Sequence, residues 1–316
     1  MKIRSIAIAA TIAASLALPV AAQTVGIITS PAGTTSHSAG SAIAKTLGDA
    51  GVRAIVQAQA TTGFEEVLAG GAEFNLSNSF DSTYFVTGTG QYSGKGAQPG
   101  LVQVGVLMPY RVAIHVRANS NIRTMADLKG KSIPSDFKAQ PGIAQIIAAH
   151  LANAGLTYDD VKQVPAPNVA RAAEDFVAGK VDVLFFAIGT GAVKQAAASV
   201  GGLRVLPLDV TPKAVARMQE ALPGSYLLNV KAQPNLEGID GAADLVAFDM
   251  VMNTRSDVSD TVVYKVAKAL HENKKALAAS FPAFNQFDPA RMATPVKGMK
   301  MHPGAKRYYE EVGLVK

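Results

Sequence analysis

Apolar runs and helical repeats alternate along the chain in a strand, loop, helix order. Thr24–Thr29 predicts a strand, and a polar loop then leads into Ser38–Asp49, where apolar residues recur at helical spacing. The order repeats with Val52–Gln59 as a strand and a second helix that begins near Phe64. Such alternation predicts an α/β protein with parallel-rich sheets covered by helices.

The hydrophobic pattern also predicts two lobes. The long apolar strand Leu101–Val116 is followed by a new series of elements, and Ala243–Asn253 with the amphipathic helix Ser259–Ser280 then resembles the first part again. We therefore expect a discontinuous first lobe and a ligand cleft between two lobes. The expected boundaries are 23–116 with 230–316 for the first lobe, 117–229 for the second, and crossing segments near Val112–Arg117 and Tyr226–Ala232.

In the second lobe, the pattern predicts alternating helices and strands. The lobe begins at Lys131–Pro134, and its elements are a helix over Pro141–Ala154, a strand near Lys162–Pro165, a helix over Val169–Ala178, a strand over Val181–Ala187, a helix over Gly191–Ser199 and a strand over Leu203–Leu208.

The first residues read as an export signal. Lys2 and Arg4 precede the apolar run Ile6–Val20, and small residues up to Ala22 supply a cleavage site. A retained membrane anchor is the weaker alternative, because about fifteen apolar residues fall short of the roughly twenty that span a bilayer. We expect cleavage after Ala22 and a periplasmic protein.

Composition excludes several classes of protein. The chain has no cysteine, so disulfides, thiol catalysis and a lipid-anchored N-terminal cysteine are ruled out. Loss of residues 1–22 would remove two positive charges and no negative ones, which lowers the formal charge from +6 to +4 without creating a basic patch for nucleic acid. The five histidines are His37, His115, His150, His271 and His302. They show no metal-ligand spacing, and we expect neither a metal nor another cofactor.

Seven segments, in their order and spacing, resemble the TAXI class of TRAP-transporter solute receptors. The turn that begins at His302 is the most specific of them, whereas Ile122–Gly130 is common to many periplasmic receptors. The segments are Pro31–Ser36, Ala60–Gly63, Ile122–Gly130, Gly155–Thr157, Gly179–Asp182, Leu206–Asp209 and His302–Ala305.

The resemblance implies a monomeric two-lobed receptor with a fold like that of type II periplasmic binding proteins. Such a receptor closes on a solute and delivers it to a membrane permease with small and large subunits, separate or fused. Such receptors take amino acids or dicarboxylates. Two loops depart from the class: Lys138–Ile143 lacks its hydroxyl groups, and Ile188–Ala192 lacks the expected aromatic residue and proline. The ligand therefore need not be the usual one.

Two helix N-termini in the first lobe are candidates for a carboxylate site, because a helix N-terminus exposes free N–H groups and a partial positive charge. At the first, Gly33 permits close approach while hydroxyl groups donate from the neighbouring residues; one of these hydroxyls also caps the helix. At the second, two threonines act similarly, and the aromatic ring that follows either walls the pocket or packs in the core. The candidates are Gly33, Thr34, Thr35 and Ser36, then Thr61, Thr62 and Phe64.

Arg111 is a charged residue inside an otherwise apolar strand. Its partner is either the carboxylate of the solute or an internal acid, unless the side chain faces outward from an edge strand. Asn78 is a further polar candidate, and in the second lobe Gln140 and Thr190 lie on loops expected to face the cleft.

The sequence thus favours a periplasmic receptor for a small anionic solute, with no catalytic residues. Two alternatives remain open: a receptor for an ABC importer or a sensor kinase, and an enzyme on the same fold. Against an enzyme, the chain has no Gly-x-Ser-x-Gly motif and no metal-ligand cluster.

Overall fold

Ten strands and ten helices build the molecule in a computed structural model that describes residues 24–315. The expected export signal, residues 1–22, lies outside the described residues. The strands are β1 (Thr24–Thr29), β2 (Arg53–Ala58), β3 (Phe74–Asn78), β4 (Leu101–Arg117), β5 (Ser132–Asp136), β6 (Lys162–Ala166), β7 (Leu184–Ala187), β8 (Leu203–Val205), β9 (Tyr226–Lys231) and β10 (Ala242–Arg255).

The helices cover the sheets and follow the strands closely, as α/β alternation requires. They are α1 (Thr35–Asp49), α2 (Phe64–Leu68), α3 (Ser79–Thr87), α4 (Pro141–Asn153), α5 (Val169–Val177), α6 (Gly191–Val200), α7 (Pro212–Ala221), α8 (Asp260–Glu272), α9 (Lys274–Ser280) and α10 (Pro303–Glu311).

The main sheet is mixed rather than parallel-rich. Its eight strands include the path β2-β1-β3-β10-β4-β7, with β8 on β4 and β9 on β10. Only β1 pairs in parallel, with β2 and β3, whereas all pairs that involve β4 or β10 are antiparallel. A small second sheet joins β5 and β6 in parallel. The expected parallel sheets are thus confined to β1–β3 and to β5–β6.

Two hydrophobic cores show the two-lobed architecture. One lies under α1, α8 and α10, with Phe74, Leu270 and Tyr309 at its centre, and defines the first lobe. The other lies among α4, α5 and α7 and contains Phe176 and Met218, which defines the second lobe. Each lobe therefore buries its own apolar face.

Both connections between the lobes are long strands. β4 pairs with β10 over Leu101–Val112 and continues into the second lobe, where it pairs with β7 and β8. β10 runs the other way, from β9 to β3. The second crossing is therefore made by β10 and not by Tyr226–Ala232 as expected, because β9 stays beside the second-lobe half of β10.

Four helical and strand predictions need correction. The predicted helix Ser259–Ser280 is broken into α8 and α9 at Asn273, whose side-chain amide donates to the Ala269 carbonyl at 2.8 Å. The strands predicted over Val181–Ala187 and Leu203–Leu208 are both shorter, since β7 begins at Leu184 and β8 ends at Val205. Helix α7 was not predicted, since only Ala214 and Met218 on it are buried and the apolar repeat is weak.

Candidate functional site

A cavity of about 100 Å³ lies between the lobes. The first lobe contributes the N-terminus of α1 and the corner after β3, the second lobe contributes the N-termini of α4 and α5 with the end of β7, and β4 and β10 form the base. The carboxyl ends of β1 and β3 point to this place, as expected for a ligand site in an α/β sheet. We call it the interlobe cavity.

The N-terminus of α1 presents three consecutive hydroxyl groups to the cavity. Thr34 caps the helix: its Oγ1 accepts from the His37 N–H at 3.3 Å and donates to the Pro31 carbonyl at 2.7 Å. The Ser36 Oγ accepts from the Ser30 N–H at 3.0 Å. Two of the three hydroxyls are therefore engaged in holding the turn.

Thr35 differs from its neighbours. It is only 7% exposed, and its Oγ1 has no hydrogen-bond partner among residues 24–315. A buried hydroxyl without a partner loses its hydration and gains nothing in return, at a cost of about 1–3 kcal/mol. Since Thr35 lines the interlobe cavity, a bound solute is the natural partner for this hydroxyl.

Asp81 is a buried acid in the first turn of α3, and it also lines the interlobe cavity. Asn78 caps α3 with its Oδ1, which accepts from the Asp81 N–H at 2.7 Å, and its Nδ2 donates to the Asp81 Oδ2 at 2.8 Å. The Gln91 amide donates to the other carboxylate oxygen. Burial outweighs these bonds and raises the pKa of Asp81 from 3.8 to about 6. The cavity thus contains an acid that titrates near neutral pH.

The second lobe closes the cavity from the other side. The Gln140 Oε1 accepts from the Val169 N–H at 3.0 Å, and its Nε2 lies 3.4 Å from the Ser30 Oγ of the first lobe. A second contact between the lobes joins the Ala192 N–H to the Gly33 carbonyl at 3.4 Å. The two lobes therefore touch across the cleft.

The remaining walls are apolar and aromatic. Phe185 and Phe186 on β7 lie opposite Tyr110 and Phe248 on the two crossing strands, and the Tyr110 and Phe248 rings are 5.4 Å apart. Burial raises the pKa of Tyr110, so its hydroxyl remains neutral. The cavity combines hydroxyl groups at one end with an apolar body.

Six of the residues proposed from the sequence line this cavity. They come from both lobes and from four separate turns: Thr34, Thr35, Ser36, Thr62, Asn78 and Gln140.

Three others lie at its edge or are engaged elsewhere. Gly33, with φ of +85°, shapes the turn before α1, and its carbonyl meets α6. Thr61 is exposed, and its hydroxyl donates to Gln59 at 3.3 Å. Thr190 caps α6 and donates to the Ala187 carbonyl at 3.0 Å. None of the three lines the cavity.

Phe64 and Arg111 lie away from the cavity. Phe64 is fully buried and stacks on Phe85 with ring centroids 4.7 Å apart, so it packs in the core. Arg111 lies between Tyr110 and Val112, which both line the cavity, and alternation along β4 turns its side chain to the other face of the sheet. The Arg111 side chain therefore lies outside the interlobe cavity.

Sequence reasoning missed several cavity residues. Asp81 is not among the residues proposed from the sequence, and Phe185 and Phe186 are predicted only as strand residues. The alternation of β4 was a usable signal, because an arginine that faces one way places Tyr110 and Val112 on the other face.

Metal-binding clusters and membrane-spanning helices are both absent from the described part of the chain. Within residues 24–315, no three histidine, aspartate or glutamate side chains are grouped closely enough to hold a metal ion. Over the same residues, no helix has the length and apolar character needed to cross a bilayer.

Gly142→Ala is expected to destabilise the protein by about 1–3 kcal/mol, because Gly142 at the start of α4 touches Asp81. A Cβ at this position would meet the two Asp81 carboxylate oxygens so closely that either the buried carboxylate or the start of α4 must shift. Urea denaturation measures the change. Gly191→Ala at the start of α6 is the matched control, since nothing lies within 4 Å of its Cβ position; equal stability of the two variants would show that α4 does not press on Asp81.

Comparison with solved structures identifies the fold. The alkanesulfonate-binding protein SsuA from Xanthomonas axonopodis pv. citri, solved with MOPS bound, superposes with a TM-score of 0.52 at 17% identity, over 91% of this chain and 83% of that one. SsuA from Escherichia coli gives 0.50 at 16% identity over 92% and 88%. The periplasmic binding protein BugD gives 0.58 at 13% identity over 92% and 98%. These likenesses establish the fold of a two-lobed periplasmic solute-binding protein.

A family model also covers nearly the whole described chain. It is the model of the NMT1-like family, and it matches residues 27–313. Since this match covers most of the sequence, the chain belongs to the NMT1-like family.

Proposed function

We propose that the protein is a receptor that binds a small carboxylate-bearing solute between its lobes, outside the cytoplasm, and delivers it to a TRAP-type membrane permease. The observation that carries the binding proposal is the buried, unpartnered Thr35 hydroxyl in the interlobe cavity. The proposal requires no catalytic group.

The position of Thr35 favours an anionic head group. It is the first residue of α1, a helix of 15 residues whose N-terminal N–H groups and dipole attract negative charge. The Thr35 hydroxyl would donate to a carboxylate oxygen in the same place. The N-terminus of α1 and the Thr35 hydroxyl would therefore both bind the carboxylate group of the ligand.

The other walls favour one carboxylate over two. Of the residues that the structure describes, no lysine or arginine lines the interlobe cavity, and the part nearest β7 is aromatic. A second carboxylate would face Phe185, Phe186 or Asp81 without a cation. We therefore favour a monocarboxylate with an apolar body, an amino acid included, over a dicarboxylate.

The membrane partner is proposed from the resemblance to TAXI receptors, above all in the turn that begins at His302. An ABC importer is the alternative, because two of the similar folds are alkanesulfonate-binding proteins and a sulfonate is also an oxyanion. Neighbouring reading frames distinguish them: a large permease with many apolar spans indicates a TRAP system, whereas an ATPase indicates an ABC importer. A sensor kinase next to the gene would indicate a signalling role.

A thermal-shift screen of the protein without residues 1–22 tests the ligand class. It compares amino acids, mono- and dicarboxylates, 2-oxo acids and sulfonates with neutral analogues. A solute at a hundred times its Kd adds about 2.7 kcal/mol, which raises the Tm by several degrees. Shifts confined to neutral compounds, or no shift at all, would overturn the carboxylate proposal.

Thr35→Val is expected to weaken binding of the identified solute by about tenfold, since it removes one charge-assisted hydrogen bond. The apo protein should be no less stable, because the variant also removes an unpartnered buried hydroxyl. Thr46→Val is the matched control: it makes the same change on the same helix, where the hydroxyl donates to the Ala42 carbonyl at 3.0 Å outside the cavity. Calorimetric titration of both variants measures the effect, and equal affinities would remove Thr35 from the site.

A further inference from the structure

Arg111 opens onto a second cavity, on the face of β4 opposite to the interlobe cavity. This space of about 460 Å³ is lined by the end of β7, by the loop between β9 and β10, and by the segment after α9. Four exposed side-chain amides line the same cavity as Arg111: Gln233, Asn235, Asn285 and Gln286. We call it the hinge cavity.

The Arg111 guanidinium has no acidic partner in this cavity. No carboxylate among the residues from 24 to 315 lies within salt-bridge distance of it, and burial lowers its pKa without a compensating charge. Asp249 lies two residues along β10 from Ala247, the cross-strand partner of Arg111. That carboxylate is already engaged with Arg291 at 2.8 Å and with the Tyr226 hydroxyl at 3.0 Å.

We propose that the hinge cavity binds a small oxyanion, with Arg111 as its charged anchor. A guanidinium offers paired N–H donors that match the oxygens of a carboxylate or phosphate group, and the amides that line the cavity can donate further hydrogen bonds. A partly buried cation without a counter-charge is costly, so an anion at this point relieves the cost of burying it. This site is independent of the solute proposed for the interlobe cavity.

The walls of the hinge cavity come from both lobes. Asn235 and Gly189 belong to the second lobe, whereas Phe281 and Gln286 belong to the C-terminal part of the first lobe. Gly189 has φ of +69° and packs against Leu236, which brings the two second-lobe loops together. An oxyanion at Arg111 would therefore contact both lobes behind the crossing strands.

Calorimetric titration with inorganic phosphate tests the proposal. The protein consists of residues 23–316, and chloride keeps the ionic strength constant. We expect saturable phosphate binding by calorimetry and a raised Tm. Arg111→Gln should weaken phosphate binding by about tenfold or more. Arg53→Gln removes the same charge from an exposed position on β2 and should leave binding unchanged.

Further variants make the outcome decisive. If Arg111→Gln does not fold, Gln286→Ala on the opposite wall should still weaken phosphate binding, and Thr35→Val should not, because Thr35 lies in the other cavity. Unsaturable binding of both phosphate and acetate, or equal phosphate affinity in the wild-type protein, Arg111→Gln and Gln286→Ala, would overturn the hinge site. Loss of phosphate binding in Thr35→Val alone would place the anion in the interlobe cavity and would also overturn it.

Discussion

Between pH 5 and pH 8, the affinity of the protein for a carboxylate solute is expected to fall by about 10- to 100-fold. Asp81 lines the interlobe cavity, and its burial raises its pKa to about 6. At pH 5 the Asp81 carboxyl group is protonated and uncharged. At pH 8 it is ionised and repels the carboxylate of the solute. Two charges about 7 Å apart at an effective dielectric constant of about 20 repel by about 2 kcal/mol.

The sign of this dependence identifies the charge of the solute. Uptake of one proton with the solute limits the slope to about tenfold per pH unit above the pKa of Asp81. The nearby Tyr92 and Tyr110 stay neutral throughout, because burial raises the pKa of both hydroxyls. Calorimetric titrations at four pH values measure the profile, and Asp81→Asn should flatten it. An affinity that rises with pH would mean that a cationic group of the solute meets Asp81.

Asp81→Asn is expected to stabilise the unliganded protein by about 2–3 kcal/mol at pH 8. The folded state holds the proton of Asp81 up to a pKa of about 6, whereas the unfolded chain releases it near 3.8. Stability that is present below pH 3.8 is therefore lost as the pH rises through 6, and the difference of about two pKa units corresponds to about 3 kcal/mol. Asparagine removes this loss.

Urea denaturation at pH 4 and pH 8 measures the gain, which should be small at pH 4. The Asn78 amide can still donate to the asparagine oxygen, and Gln91 can turn its own amide to present an oxygen to the new N–H group. Asp159→Asn serves as the control, since Asp159 is exposed. If the stability of Asp81→Asn follows the same pH curve as the wild-type protein, the burial of Asp81 carries no energetic cost.

Much of the fold was accessible from the sequence because burial leaves a pattern. β1 has the predicted bounds, and β4 extends the predicted strand by one residue, because both are apolar on both faces. Helix α1 begins three residues before its predicted start at Ser38. Its first turn is polar although it is largely buried, since it faces a cavity rather than solvent.

The fold predictions are wrong where the structure depends on tertiary contacts that the local hydrophobic pattern does not encode. The break at Asn273 leaves the apolar face of α8 and α9 continuous in sequence, so periodicity alone could not show it. The central place of β10 depends on pairing with strands far away in the chain, and a run of apolar residues does not specify its neighbours.

The candidate site divides in the same way. The hydroxyls of the α1 turn were recognisable because the turn is local in sequence. Asp81 was not, because its raised pKa depends on burial in the assembled cavity, beside a glycine about 60 residues later in the chain. Arg111 was recognised as unusual, but its direction could be read only from the register of β4 against its neighbours.

The late position of β10 in the chain has a consequence for how the molecule folds. This strand lies between β3 and β4 and also carries β9, yet it ends only at Arg255. Its pairing of Met250 with Asn78 closes a loop of about 170 residues, and such distant contacts slow folding. A chain that emerges from the ribosome N-terminus first therefore cannot complete either half of the main sheet until most of its length has been made.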